Sequence, residues 1–450
     1  MAITRRQFVT RLGALAAAAG LGQAEVAKIT EVFAYGTTPW NTFSQKPRVV
    51  WVHGAECTGC STSLLSLFED ATAPAIEGMA TTTLAALGLA TGPTAVPRTL
   101  DGAGLNVDRI GTGEVTPGTP LGESAVVNIQ DVLVDIIELD YHETVMSMGG
   151  DLAAQWLKDF MGNVPANKPF VLVVEGAIAP KDQGGAWADV DGNGEPWCSI
   201  GMTDDFVKDV SGTEHAIDTV VATLAAKASC AAVIAIGQCA TFGGYPGCKS
   251  PIAPVNAGGF DPSLAQSGAM GTYDFLYLPA NRGTGAYNKV INVPGCPTNP
   301  WWFILTVVVW LVDRENEGVL GILDPANNYL PKASAIDSTR RLKLAYPYSI
   351  HGPYCPRYND YSVGRFAEKP GDPGCLQKIG CKGPAVKSLC GAHGWNAQQP
   401  HNDEDWEFGL AEANPMGAGH QGGHCTRAGH PCMGCTEKGY PDSFVPFVTW

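Results

Sequence analysis

Apolar residues collect in four short runs, at 48–52, 170–174, 231–236 and 290–293, interrupted only by Asn292 and led by Arg48 in the first, and a glycine follows each within two residues. Runs rich in β-branched residues, without polar alternation, are the pattern of parallel strands buried on both faces. Helical spacing fills the gaps. Leu64, Leu65, Leu67 and Phe68 are spaced to bury one face directly after the first run, and residues 216–226 read as a second helix. Residues 301–312 are apolar all round, which marks a helix inside a core and is too short to cross a bilayer. Strand–loop–helix repeats of this kind predict an α/β domain with a flavodoxin-like parallel sheet over residues 45–312.

Two stretches break the pattern. Residues 70–131 are heavy in Ala, Thr, Gly and Pro with little charge, which predicts an insertion into the α/β domain. Residues 189–194 (DVDGNG) match the first half of a calcium loop, but Ile200 stands where the closing glutamate belongs, so a plain Asp/Gly turn is the better reading. From 313 to 450 the alternation fades into short segments, Gly/Pro turns and cysteines. That describes an irregular C-terminal domain folded around bound cofactors.

Composition narrows the function. A chain of 450 residues can bury more than one core. Its formal net charge of −15 excludes the basic stripe of a nucleic-acid surface and suits a basic electron-transfer partner. The start reads TRRQF at 4–8, followed by an alanine-rich apolar stretch at 12–21, in the form of a twin-arginine signal peptide over residues 1–24. That route exports proteins already folded around metal. No stretch reaches the roughly 20 apolar residues that span a bilayer. The mature chain is therefore expected in the periplasm or another extracytoplasmic space, without a transmembrane segment of its own.

The fourteen cysteines fall in local, Gly/Pro-flanked clusters. Neighbours two or three residues apart make poor disulfide staples, which favours metal. Cys57, Cys60, Cys239 and Cys296 all sit just beyond the carboxyl ends of predicted strands, where an open α/β sheet places its sites. Four thiolates distant in sequence thus converge on one spot. His351, Cys355, Cys375, Cys381, Cys390, Cys425, Cys432 and Cys435 form a second set. Two cubane iron–sulfur clusters or two tetrahedral zinc sites each fit that count. Zinc has no redox role, and three closed zinc sites in one exported chain are hard to motivate.

The motifs ECTGC (56–60), LDYHE (139–143), VEG (174–176), GQCATFGG (237–244), PGCPTNP (294–300), GCKGP (380–384) and GHPCMGCTE (429–437) resemble, in order, those of nickel–iron hydrogenase small subunits. The resemblance covers most of the chain apart from the insertion and other loops. It implies an electron-transfer subunit that relays electrons from hydrogen oxidation in a separate large subunit to a soluble or membrane acceptor such as a cytochrome. It further implies a proximal [4Fe–4S] cluster on Cys57, Cys60, Cys239 and Cys296. A distal [4Fe–4S] cluster falls to His351, Cys355, Cys375 and Cys381, and a medial cluster to Cys390, Cys432 and Cys435.

Three departures carry information. His351 and Cys355 have one more residue between them than the family's HxxC. Many relatives hold a three-iron [3Fe–4S] medial cluster and place proline where this chain has Cys425; a fourth thiolate there predicts a medial [4Fe–4S] cluster. Oxygen-tolerant relatives add two cysteines beside the proximal cluster, but Gly59 and Gly244 occupy those positions, so a six-cysteine cluster is not expected. Cys198, Cys230 and Cys248 are left as buried thiols. The family's proton route passes the glutamate before the CxxC, here Glu56, which serves either as a relay or as a bond to the cluster loop. His53, Asp140 and His142 are expected to act in packing and subunit contact. Two other readings remain: a hydrogen-sensor or quinone-reductase-type iron–sulfur subunit, and an exported zinc- and disulfide-stabilised binding protein.

Overall fold

The computed structural model describes residues 48–65, 68–70, 126–128, 137–164, 168–180, 186–187, 195–200, 216–247, 268–315, 321–346, 349–352, 355, 357–388, 390, 425–426 and 428–441. The export signal, the calcium-like turn, most of the 70–131 stretch and Cys248 lie outside the described residues. The four apolar runs form strands β1 (Arg48–His53), β5 (Phe170–Glu175), β8 (Cys230–Ile236) and β9 (Val290–Val293). A fifth strand, β4 (Glu138–His142), joins them. All pairings are parallel, in the order β4-β1-β5-β8-β9. Numbered along the chain that is 2-1-3-4-5, the flavodoxin-like order, with its switch point between β1 and β5.

Alternate residues of each strand enter opposite layers. Val50, Val52, Leu172, Val174, Val233 and Ala235 pack on one face. Against them lie helix α2 (Gly150–Asn163) and helix α3 (Ile217–Ala226). Val49, Trp51, Val171, Val173, Ile234 and Ile291 fill the other face. There the partner is α6 (Pro300–Glu315), buried through Trp302, Phe303, Leu305 and Trp310. This is why the strand runs carry no polar alternation. The one acid well inside that helix, Asp313, is fully buried and accepts the backbone N–H groups of Ile322 and Leu323, which stitches the helix end to the chain that follows.

Two local expectations change. The helix after the CxxC, α1 (Gly59–Leu65), ends before Phe68, and Leu65 is exposed. Phe68–Asp70 is instead strand β2, paired antiparallel with β3 (Val126–Asn128) at the two ends of the 71–125 stretch. Beyond the helix ending at Glu315 regular structure is sparse, with short helical turns and two-residue ladders. The apolar residues there, among them Leu342, Tyr346, Ile350, Leu376 and Val386, share one core with the sheet face beneath α6. No described helix is long and apolar enough to cross a membrane.

Candidate metal centres

The first group forms where the strands end. After β1 the chain turns through Gly54 and Ala55, which bridges Ala177 beyond β5, and delivers Cys57 just before α1 and Cys60 into its first turn. Helix α4 (Gly237–Phe242) starts at the end of β8 and carries Cys239, and the loop after β9 carries Cys296. The negative charge of one thiolate reaches the next: Cys239 feels Cys296 and Cys57, Cys296 feels Cys57, and Cys60 feels Cys239. Burial is the largest cause of the raised pKa values of Cys60, Cys239 and Cys296, with Cys239 pushed up to about 12 and Cys60 raised further by Glu175. Gly237, at φ +82°, has no room for a side chain, because a Cβ would overlap Cys60 Sγ. A Cβ on Gly59 would lie 3.1 Å from Cys57 Sγ, and one on Gly244 2.8 Å from Cys239 Sγ, so both positions abut the tetrad.

A buried polar network supports it. Glu175, 1% exposed at the end of β5, accepts Trp51 Nε1–H at 3.0 Å and the Cys60 and Ser61 backbone N–H groups at 3.0 and 3.1 Å. Ser61 Oγ donates to the same carboxylate at 2.5 Å. His142 Nδ1 accepts Thr144 N–H, which assigns the ring proton to Nε2, and Nε2 donates to Ser61 Oγ at 3.1 Å. Burial and the neighbouring His53 charge pull the His142 pKa down to about 3, so the ring is neutral. The sequence reading quoted Glu175 only as part of a motif. A lone carboxylate closing an all-apolar buried run is the signal that could have found it.

His53 lies beside Glu56, Nδ1 to Oε1 at 3.0 Å, and Thr58 Oγ1 donates to the same oxygen at 3.1 Å. Burial lowers the His53 pKa, but the Glu56 hydrogen bond and the charges of Glu175 and Glu143 outweigh it and leave it raised. Asp140 pairs with Arg48. Of the remaining thiols, Cys230 is buried and Cys198, partly buried, lies with its sulfur 4.0 Å from the His53 carbonyl.

The C-terminal residues separate into two further groups. His351, Cys355, Cys375 and Cys381 line one small pocket, together with Arg357 and Thr426. Cys355 feels both Cys381 and Cys375. The His351 ring packs edge-on against Tyr361 at 4.3 Å, and burial lowers its pKa. Cys390, Cys425, Cys432 and Cys435 make the third group: Cys435 feels Cys390 and Cys425, and Cys432 feels Cys381 of the second group first, then Cys435 and Cys390. Two contacts string the groups together. The Cys296 backbone N–H donates to Cys435 Sγ, and the Cys432 backbone N–H donates to Cys381 Sγ at 3.3 Å.

The donor sets fit iron–sulfur clusters better than single ions or disulfides. None of the thirteen described cysteines is in a disulfide. Three thiolates on one zinc ion would stand about 3.8 Å apart, given Zn–S bonds of about 2.3 Å. Among the described residues, however, the only three or more ligand atoms within 4.8 Å of one another belong to His53, Glu56 and Glu175. In that trio His53 and Glu56 are hydrogen-bonded to each other, while Glu175 is satisfied by Trp51, Cys60 and Ser61. Several sulfurs accept backbone N–H groups, as at Cys60 from Thr298 (3.4 Å) and Cys375 from Gln377. This is how cluster thiolates are solvated. Buried thiolates held together without a cation would repel one another and take up protons.

Comparison with known proteins agrees with this geometry. The family model for the NADH ubiquinone oxidoreductase 20 kDa subunit matches residues 122–310, and that for the C-terminal region of NiFe/NiFeSe hydrogenase small subunits matches 346–404. The chain is 25% identical over 450 residues to the periplasmic [NiFeSe] hydrogenase small subunit of Desulfomicrobium baculatum, covering 99% of each. It is 25% identical to the periplasmic [NiFe] hydrogenase small subunit 1 of Nitratidesulfovibrio vulgaris, covering 99% of this chain and 93% of that one. The fold matches the reduced, active NiFeSe hydrogenase from D. baculatum with a TM-score of 0.53 at 24% identity, over 90% of this chain and 98% of that one.

Proposed function

The chain belongs to the family of nickel–iron hydrogenase small subunits, and from that premise we propose how its residues divide the work. It is the electron-transfer subunit of a hydrogenase whose nickel–iron active site sits in a separate large subunit. Cys57, Cys60, Cys239 and Cys296 would hold the proximal cluster, Cys390, Cys425, Cys432 and Cys435 the medial one, and His351, Cys355, Cys375 and Cys381 the distal one. When bound, [4Fe–4S] clusters supply one-electron chemistry at potentials tuned by charge, hydrogen bonds and burial. The single observation that carries the reading is the row itself. The backbone of Cys296 touches Cys435, and the backbone of Cys432 touches Cys381, so the third ligand group adjoins both others, which supports a relay through it.

The chain's own atoms do the rest. Glu175 fixes the turn that presents Cys60, and His53 holds Glu56 beside the exposed Cys57, on the face where the large subunit would dock. A proton handed across that face would meet the Glu56 carboxylate first. The RR motif supports twin-arginine export to the periplasm, with electrons leaving from the His351 end to a soluble or membrane-bound cytochrome. The match at 346–404 favours this over a quinone-reductase-type subunit confined to the α/β part.

Metal and sulfide analysis of the purified heterodimer tests the assignment. About twelve irons with equal sulfide are expected from three cubanes, and the oxidised protein should show no [3Fe–4S] signal by EPR. Zinc without sulfide would sink the reading.

A further inference from the structure

Two phenols stand between the first and third ligand groups. Tyr440 is 5% exposed, in the turn that follows Cys435, and its hydroxyl donates to Cys296 Sγ. The Tyr245 hydroxyl lies 3.0 Å from that of Tyr440, with the rings edge to face at 5.5 Å. Either hydroxyl of this pair can donate to the other. The Tyr245 backbone N–H meanwhile donates to Cys239 Sγ. The pair therefore reaches two cysteines of one tetrad from two distant parts of the chain. Gln238 holds the turn in place, its Nε2 donating to the Glu437 carbonyl at 2.8 Å and facing that of Tyr440 at 3.5 Å.

We propose that Tyr440, braced by Tyr245, is a positioning residue that fixes Cys296 and raises the reduction potential of the cluster held by Cys57, Cys60, Cys239 and Cys296. The inference rests on the cluster assignment above. An O–H donated to a thiolate withdraws electron density from sulfur and stabilises the more negative, reduced state. The donor is a side-chain hydroxyl, removable without touching the backbone. A phenylalanine would keep the ring and its packing. It would lose only the proton on Cys296 and the partner of Tyr245. The site also faces Cys435, so the hydroxyl acts at the step between the first and third ligand groups.

An EPR-monitored redox titration of the intact heterodimer tests this in wild type, Tyr440→Phe and Tyr245→Phe. The proximal midpoint should move to more negative potential in Tyr440→Phe, and by less in the same direction in Tyr245→Phe. The distal midpoint should stay in place. After exchange into deuterated water, pulsed EPR should find a coupled deuteron at the reduced proximal cluster that Tyr440→Phe loses. An unmoved proximal midpoint with the deuteron retained overturns the proposal. Should Tyr440→Phe fail to assemble, Tyr245→Phe decides, and an unmoved proximal midpoint in that loaded variant overturns it equally. Wild-type protein without iron and sulfide would overturn the cluster assignment instead, a distinguishable result.

Discussion

Cys425 shows how much one side chain can decide. Its charge reaches both Cys390 and Cys435, burial raises its pKa, and Cys381 of the second group raises it further, so it stands beside two sulfurs of its group and near the neighbouring group. Replacing it with proline should leave three thiolates there. The oxidised Cys425→Pro protein should then show a [3Fe–4S] EPR signal, with total iron falling from about twelve to about eleven. Arg341 illustrates a different kind of dependence. It is 4% exposed and donates to Asp337 Oδ2, Glu437 Oε1 and the Thr436 carbonyl, each at 2.8 Å. Glu437 also accepts the Lys387 N–H, so this one cation ties three segments around the third group. Arg341→Ala would strand two partly buried carboxylates. It should cost about 3 kcal/mol or more, read as a lower midpoint of thermal unfolding beside wild type.

At the scale of elements, the glycine at each strand end determines whether a cysteine can approach. Gly237 opens α4 in the left-handed region, and any Cβ there would collide with Cys60 Sγ. Gly237→Ala should therefore combine about 1 kcal/mol of backbone strain with a displaced ligand. The expected result is loss of about four irons, with the other two ligand groups still occupied. The strand that the hydrophobic pattern did not announce is β4. It lies at the sheet edge, and Glu138, Leu139 and Asp140 are not buried. With only one neighbouring strand, it does not need an unbroken apolar run. Likewise α1 stops short of the Leu67–Phe68 pattern because Phe68 is drawn into the β2–β3 ladder, a pairing with a segment some sixty residues away.

For the whole molecule, the first group lies at a surface, whereas the third lies inside. Cys57 is exposed, while Cys390 and Cys432 are buried. Trp197 is 56% exposed and precedes Cys198, which reaches the His53 carbonyl. This places an aromatic anchor beside the face assigned to the large subunit. Trp197→Asp should weaken assembly by at least about 2 kcal/mol, seen as loss of the large subunit on co-purification, with iron content of the small subunit kept. Retained co-purification would remove Trp197 from that interface.

The runs of apolar residues, their terminal glycines and the spacing of the cysteines were enough to specify a parallel α/β sheet, its central strands and the side chains set out at its carboxyl edge. Those features are local, since period and propensity act over a few residues. The tertiary structure decided what depends on distant partners. It set the 2-1-3-4-5 order, brought Cys296 against Cys435 and Cys432 against Cys381, and gave Glu175 its four donors and Tyr440 its sulfur. No periodicity encodes a hydrogen bond between residues 175 and 60, or between 440 and 296. Such contacts exist only once the chain is closed on itself, when a buried polar group must find a partner or bear the cost of its desolvation.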